Sequence, residues 1–260
     1  METINESIYD HPKYYDLVFG ADCAAEMHFI RDVNDEFLGG KARRLFEPAC
    51  GTGRLLYGLA KHDFAVEGID LNDKAIDYCN ERFRRADMPE TAWVADMSDF
   101  KSRKKFDLAF NTINSFRHLM TGAAAEGHLR SMAAGAHKGA IYLLGIHLTP
   151  TEEPPSDSES WSARRGHLAV TTDMWTIERL PKKRLERFGI AFDIYTPTRQ
   201  WRIEDELRLR SYTPRQMEDL VLGEGSWEII ETFDFAYDID SPATVDASTE
   251  DVVYVLRRLG

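Results

Sequence analysis

Between about residues 41 and 148 the chain repeats one pattern, and that pattern limits its fold more than any other feature. Short apolar runs at Ala42–Glu47, Ala65–Asp70, Thr91–Ala95, Phe106–Asn111 and Ala140–His147 alternate with stretches of helical character. Strands that alternate with helices build a parallel sheet covered on both faces. The first helix reads as Gly53–Lys61. Asn72 can cap the next, where Ala75, Ile76, Cys79 and Phe83 recur at helical spacing, and a third lies around Gly127–Ala134. Each strand runs into polar residues, and in such folds ligands collect at the carboxyl ends of the strands, where the strand order reverses.

Past Pro150 the pattern changes. Thr151–Ser160 holds two prolines, three serines and four acids and reads as an exposed loop. In Phe188, Ile190, Phe192 and Ile194, and again in Trp201, Ile203, Leu207 and Leu209, apolar side chains recur every second residue. With Leu168–Ile177 these runs predict a small antiparallel sheet with one apolar face. Tyr212-Thr213-Pro214 supplies a cap and an N1 proline for a helix through Leu222. Ser226–Phe235 and Val252–Leu259 predict a hairpin that completes the main sheet, with the acidic stretch Asp238–Asp251 as a long loop.

The 260 residues, 43% of them hydrophobic, suit one large α/β domain or a domain with an insertion. Against 32 basic side chains stand 44 acidic ones, a formal charge of −12 that repels phosphate backbones and anionic membrane surfaces. The expected partner is a small molecule, with no nucleic acid and no membrane. The basic runs Arg82–Arg85 and Lys101–Lys105 are short and read as solvated faces. Cys23, Cys50 and Cys79 form no CxxC pair, which supports neither a zinc knuckle nor a disulfide framework and fits a reducing cytoplasm. No export signal opens the sequence, and no apolar run approaches the roughly 18 residues of a membrane span, so a cytoplasmic protein is expected.

The segment Leu45-Phe46-Glu47-Pro48-Ala49-Cys50-Gly51-Thr52-Gly53-Arg54 carries the most chemistry. Gly51 and Gly53, between a strand and a helix, let the backbone turn tightly and approach a ligand that a Cβ would exclude. The dinucleotide fingerprint needs a third glycine where this chain has Leu56, which disfavours a pyrophosphate and with it a nicotinamide-dependent reductase. Glu47, at the strand end, would repel a phosphate and suits a cationic ligand. Asp70 ends the second strand about 20 residues after the turn, where a carboxylate accepts hydrogen bonds from ribose hydroxyls. Cys50 has no histidine beside it in sequence and reads as a small buried residue.

Here the chain resembles the class I S-adenosylmethionine-dependent methyltransferases. Glu47–Gly53, with Ala49, Gly51 and Gly53, looks like the glycine-rich motif that receives the methionine part of the cofactor. Gly68-Ile69-Asp70-Leu71 looks like the ribose-binding acid, and Ala95-Asp96-Met97 is similar to the step that meets adenine. Phe106–Asn111 looks like the fourth strand, ending beside the reacting methyl. Tyr14-Tyr15-Asp16-Leu17 and Asn114-Ser115-Phe116-Arg117-His118-Leu119 resemble the small-molecule N-methyltransferases of sugar amines and, more distantly, of glycine.

The resemblance implies an α/β, Rossmann-like, doubly wound, mostly parallel seven-stranded sheet with a small antiparallel β-sheet lid inserted after the fifth strand. It divides the chain into an N-terminal helical cap over the cofactor (1–40), a cofactor-binding core (41–150), the lid (151–210) and a C-terminal completion of the core sheet (211–260). The cofactor is S-adenosylmethionine and the product S-adenosylhomocysteine. Cofactor-binding residues are Tyr15, Glu47, Ala49, Gly51, Gly53, Asp70, Leu71, Asp96, Met97 and Asn111. His118 and Tyr15 fall beside the acceptor in those relatives, and Arg117, His118, Trp201 and Arg202 are candidates for the substrate. Arg117 is a bulky cation where the relatives favour a small residue, which counts against a sugar-nucleotide acceptor.

Methyl transfer from a sulfonium needs a positioned, neutral nucleophile, and a histidine can take a proton from an ammonium or hydroxyl group. The expected activity is methylation of a small-molecule amine. An O-methyltransferase, or a protein that holds the cofactor without catalysis, is the alternative. Each residue also has a plainer reading: His118 as a packed helix residue, Tyr14 or Tyr15 as a core aromatic, and Trp161, Trp175 and Trp201 as the core of the small sheet. The strand ending Asn111-Thr112-Ile113-Asn114 lacks the Pro-Pro-aromatic loop that resembling families use on nucleobases or protein glutamine. No acid cluster has metal-ligand spacing, so no metal is expected, and the exposed edge of the lid offers a homodimer contact.

Overall fold

The chain opens with a short strand, β1 (Glu2–Asn5), and two helices, α1 (Pro12–Gly20) and α2 (Ala24–Leu38). It then enters the alternation: β2 (Arg44–Pro48), α3 (Arg54–Ala60), β3 (Ala65–Asp70), α4 (Asp73–Arg84), β4 (Ala92–Val94), β5 (Phe106–Asn111), α5 (Gly122–Gly135) and β6 (Ala136–His147). Four long strands follow, β7 (Ser158–Arg165), β8 (Leu168–Leu180), β9 (Leu185–Tyr195) and β10 (Gln200–Arg210). Helix α6 (Pro214–Glu224) and strands β11 (Trp227–Phe233) and β12 (Asp251–Arg258) end the fold. This computed structural model describes residues 1–152 and 157–260.

The main sheet has seven strands in the order β11-β12-β6-β5-β2-β3-β4. Strands β2 to β6 run parallel, and β12 is antiparallel to both of its neighbours. Successive side chains of a strand point to opposite faces, so each parallel strand feeds two cores. In β2, Leu45 packs with Phe29 of α2 and Leu55 of α3, while Phe46 joins Phe100, Phe106 and Leu129 on the other face. Burying each of these side chains stabilises the fold by about 1.5–3 kcal/mol. Helix α4 buries the stripe Ala75, Ile76, Cys79 and Phe83, and the Asn72 side chain accepts the Ala75 N–H at 2.9 Å as its cap. Between β2 and β5 the strand order reverses.

The second sheet has five strands in the order β1-β10-β9-β8-β7. It differs from the expected antiparallel sheet in two ways. Strand β1 adds to β10 in parallel, and β7 begins at Ser158, inside the stretch read as a loop. Neither carries a regular apolar alternation: β1 is mostly exposed, and in β7 only Trp161 and Ala163 pack inward. The N-terminal segment is therefore a strand followed by helices. The centre of the proline-rich loop, 153–156, lies outside the described residues. Helix α6 starts as expected, with Thr213 and Gln216 forming a reciprocal capping box. Among the described residues no helix is long and apolar enough to cross a membrane.

Candidate active site

The strand reversal opens into a cavity of about 910 Å3, at the upper end of the roughly 300–1,000 Å3 typical of small-molecule sites. The carboxyl ends of β2, β3, β5 and β6 form its floor; α1 and the second sheet cover it. In the turn after β2, Ala49, Gly51 and Gly53 all have positive φ, at 54°, 53° and 67°. Gly53 has a further constraint, because a Cβ there would stand 2.3 Å from Cys79 Sγ. The turn is welded to β3: Cys50 N–H donates to Ile69 O and Gly51 N–H to Asp70 Oδ2, both at 2.8 Å.

Asp70 also accepts the Asn72 N–H on its other oxygen at 2.8 Å. A carboxylate offers about four lone-pair sites, so acceptor capacity remains for a ligand hydroxyl. Burial raises the Asp70 pKa, and the backbone N–H groups oppose that rise. Glu47 is 6% exposed, and its Oε2 is buried with no partner among the described residues. Asn111 repeats the situation on the next strand: its Nδ2 donates to Pro48 O at 2.9 Å, while Oδ1 is buried and unpaired. Two orphaned acceptors at adjacent strand ends fit a ligand that brings hydrogen-bond donors and positive charge. Burial pushes the Glu47 carboxyl well above the usual carboxylate range, against the pull of Arg54.

Farther along the cavity lie Leu71, Asp96 and Met97. Asp96 accepts the Ser98 N–H at 2.8 Å, and Met97 is anchored from behind by His128 of α5. His128 Nδ1–H donates to Met97 O at 2.9 Å, so Nε2 accepts the Tyr142 hydroxyl, also at 2.9 Å. Burial drops the His128 pKa to about 4, and the ring is neutral. The sequence reading missed His128, whose partners come from two other elements.

Helix α1 is pinned by Asp16, 1% exposed, which accepts Thr52 Oγ1 at 3.1 Å, Tyr78 Oη at 3.3 Å and Arg165 Nη1 at 3.2 Å. Arg82 completes this set with a close ion pair. Tyr15 therefore faces the cavity, with ring centroids 4.5 Å from Phe19 and 5.5 Å from Tyr9; burial pushes its hydroxyl up to about 12. Tyr9, also missed from sequence, sets its hydroxyl 3.0 Å from His118 Nε2. Burial, and then the Arg117 cation, hold His118 below the usual imidazole range. Tyr14 turns away and packs edge-on against Trp201 at 5.8 Å.

The remaining half of the cavity lies under the second sheet, where Trp161 and Trp175 form walls. The expected substrate residues fall in two places: Arg117 and His118 line the cavity, and Trp201 and Arg202 lie outside its lining. Arg117 reaches the wall but is committed: it forms a close buried ion pair with Glu186, and its Nε donates to Arg210 O at 2.9 Å. Trp201 and Arg202 do not line the cavity. They occupy the end of β10 beside β1, where Trp201 packs on Tyr14 and Arg202 pairs with Asp193 at 3.0 Å; Leu207 and Leu209 of the same strand line the cavity instead. Four carboxylates, Asp157, Glu159, Glu186 and Glu250, line this half against two guanidinium groups, Arg117 and Arg179. Among the described residues no group of three or more His, Cys, Asp or Glu side chains is placed to hold a metal.

Residues 46–139 match the family model described as a methyltransferase domain. This stretch carries the likeness to a methyltransferase domain. The orphaned acceptors, the Asp70 carboxylate and the open turn fit S-adenosylmethionine. A curated relative, the S-adenosyl-L-methionine-dependent Diels-Alderase of Talaromyces variabilis, is 24% identical over 159 residues, covering 58% of this chain and 53% of the relative. The chain spans about half the length of the curated relatives it matches. Among solved structures, an S-adenosylmethionine-dependent methyltransferase from Clostridium acetobutylicum is similar with a TM-score of 0.77 and 18% identity, over 96% of this chain and 98% of that one. A sugar N-methyltransferase from a Streptoalloteichus species has a TM-score of 0.74 and 19% identity, over 100% of this chain and 96% of that one. At these identities the likeness shows a shared fold, and it extends beyond the methyltransferase domain to the second sheet.

Proposed function

We propose that the chain methylates a nitrogen of a small-molecule amine. When bound, S-adenosylmethionine supplies a methyl group on a cationic sulfur, activated for in-line displacement. Glu47 and Asn111 would hold its ammonium group, Asp70 its ribose hydroxyls, and Asp96 and Met97 its adenine. Tyr15 covers the site near the reacting end, and the roof formed by α1 and the second sheet excludes water. Positioning and desolvation of this kind can supply much of the rate of such a displacement. His118, fixed by Tyr9, orients the acceptor.

The observation that carries the nitrogen assignment is the acidic surplus of the acceptor half, four carboxylates against two guanidinium groups. It attracts an ammonium-bearing acceptor and repels a carboxylate-bearing one. The fold shared with a sugar N-methyltransferase supports the same reading. A second reading has its own support: the relative described as a Diels-Alderase depends on S-adenosylmethionine by name without being named a methyltransferase. Incubation with S-adenosylmethionine and matched amines and alcohols, including amino sugars, separates the two. The amine reading expects S-adenosylhomocysteine in equal amount to an N-methylated product. Turnover of alcohols alone, or cofactor binding with no S-adenosylhomocysteine formed from any acceptor, would overturn it.

A further inference from the structure

Two histidines line the cavity, and the chemistry above uses only His118. The other, His147, ends β6. Its Nδ1 makes a close hydrogen bond to Oδ1 of Asp251, the residue directly opposite on β12. A carboxylate accepts, so Nδ1 carries a proton, and in the neutral ring Nε2 keeps its lone pair. Nε2 has no hydrogen-bond partner among the described residues. The histidine is also held in place: Asn114 Oδ1 accepts the His147 backbone N–H at 3.1 Å, and the Phe235 ring packs edge-on at 5.0 Å.

We infer that His147 is the base that takes a proton from the acceptor's ammonium group, and that Asp251 positions it and stabilises the imidazolium that forms. The inference rests on the amine reading. The N–H bond breaks toward nitrogen, and the proton goes to His147 Nε2. The freed electron pair then forms the N–CH3 bond while the C–S bond breaks toward sulfur. The products are a methylated ammonium ion, a neutral thioether and one proton, which leaves from His147 to water. The His147 and Asp251 side chains are 33% and 46% exposed, enough for that release.

His118 is poorly placed to act as the base. Its Nε2 is engaged by Tyr9, and the Arg117 cation opposes a charge on its ring. His147 also interacts with the Glu250 carboxyl, whose other charged neighbours are mostly negative. Glu250 precedes Asp251 in the chain, Glu159 comes from β7, and Arg179 from β8 is the cation. Burial, then Asp251, hold the Glu250 carboxyl above its usual range, in keeping with a site that favours a positive guest.

The test is the pH dependence of kcat and KM for the best amine found, in the wild type, H147Q and D251N. At pH 7, H147Q is expected to lower kcat by about 10²-fold, a typical loss for a missing general base. S-adenosylhomocysteine affinity and thermal midpoint should stay near wild type. The deficit should shrink as the pH nears the amine's own pKa, where the neutral amine no longer needs a base. D251N, which keeps the imidazole, should show the same trend with a smaller deficit. A wild-type kcat in H147Q, or a deficit that does not change with pH, overturns the assignment. If the wild type methylates alcohols and no amine, the amine reading falls first and the base with it, so the wild-type panel tells the two failures apart.

Discussion

Glu47 shows what a ligand site costs a protein. A buried carboxylate without a partner is unfavourable, and burial raises its pKa more than Arg54 can lower it. For an acid raised on folding, the unfolded chain ionises first as the pH rises. Stability is therefore lost upward from the ordinary carboxylate range toward the folded value. The Glu47→Gln variant removes that loss and should unfold at a higher temperature than the wild type at pH 8 with no ligand present. It should also bind S-adenosylhomocysteine about 10–100-fold more weakly, the range for losing a hydrogen bond to a charged group. Wild-type affinity should rise with pH, since the ligand's cation needs the ionised form, and the Gln variant's should not. Calorimetry across pH checks both, and undiminished binding by the Gln variant would remove Glu47 from the cofactor site.

At the scale of elements, α5 sets the loop that carries Asp96 and Met97. A Cβ on Gly127 would stand 2.6 Å from Ser98 O, so the helix and loop touch backbone to backbone, and His128 then ties Met97 O to Tyr142. The buried, neutral His128 makes the fold acid-sensitive. Its folded pKa of about 4 lies below the 6.5 of a free imidazole. Stability is therefore complete above pH 6.5 and falls as the pH drops from there toward 4, by up to about 3 kcal/mol. The His128→Gln variant should flatten that part of the curve, as read by urea unfolding between pH 7 and 4; an unchanged slope would place the sensitivity elsewhere. None of this was legible in the sequence, where His128 sits 31 residues from Met97 and 14 from Tyr142. Strands β3 and β5 were legible to the residue, because each is a short, mostly apolar run bounded by polar residues and flanked by helical stretches, the pattern of a strand in a covered parallel sheet. Strands β1 and β7 were not, since their pairing is dictated by β10 and β8 rather than by their own side chains.

For the whole molecule, the residues proposed for the cofactor were readable because Glu47, Asp70, Asp96 and Asn111 follow one another along four strand ends. The acceptor half was not. It is assembled from β6, β12, the second sheet and the N-terminal segment, with pairs such as Tyr9–His118 and His147–Asp251 more than a hundred residues apart. The same assembly makes the docking of the second sheet onto the core a property of a few crossing contacts, of which Arg117–Glu186 is the most buried, at 4% and 7% side-chain exposure. The pair is unequal. Burial outweighs Glu186 and lowers the Arg117 pKa, whereas Glu186 has further neighbours in Thr149 at 3.4 Å and Arg179 at 3.8 Å. Removing one partner of a buried pair costs about 3–5 kcal/mol because the other charge is stranded, while replacing both with apolar groups is often neutral. Glu186→Leu, which strands Arg117 with only a backbone carbonyl, should therefore destabilise more than Arg117→Met, which leaves Glu186 its other neighbours. The double variant should be more stable than either single one. Denaturant unfolding of the three variants decides it: additive losses in the double variant would mean that the two side chains hold the sheets together independently, and that the ion pair is not what couples the second sheet to the core.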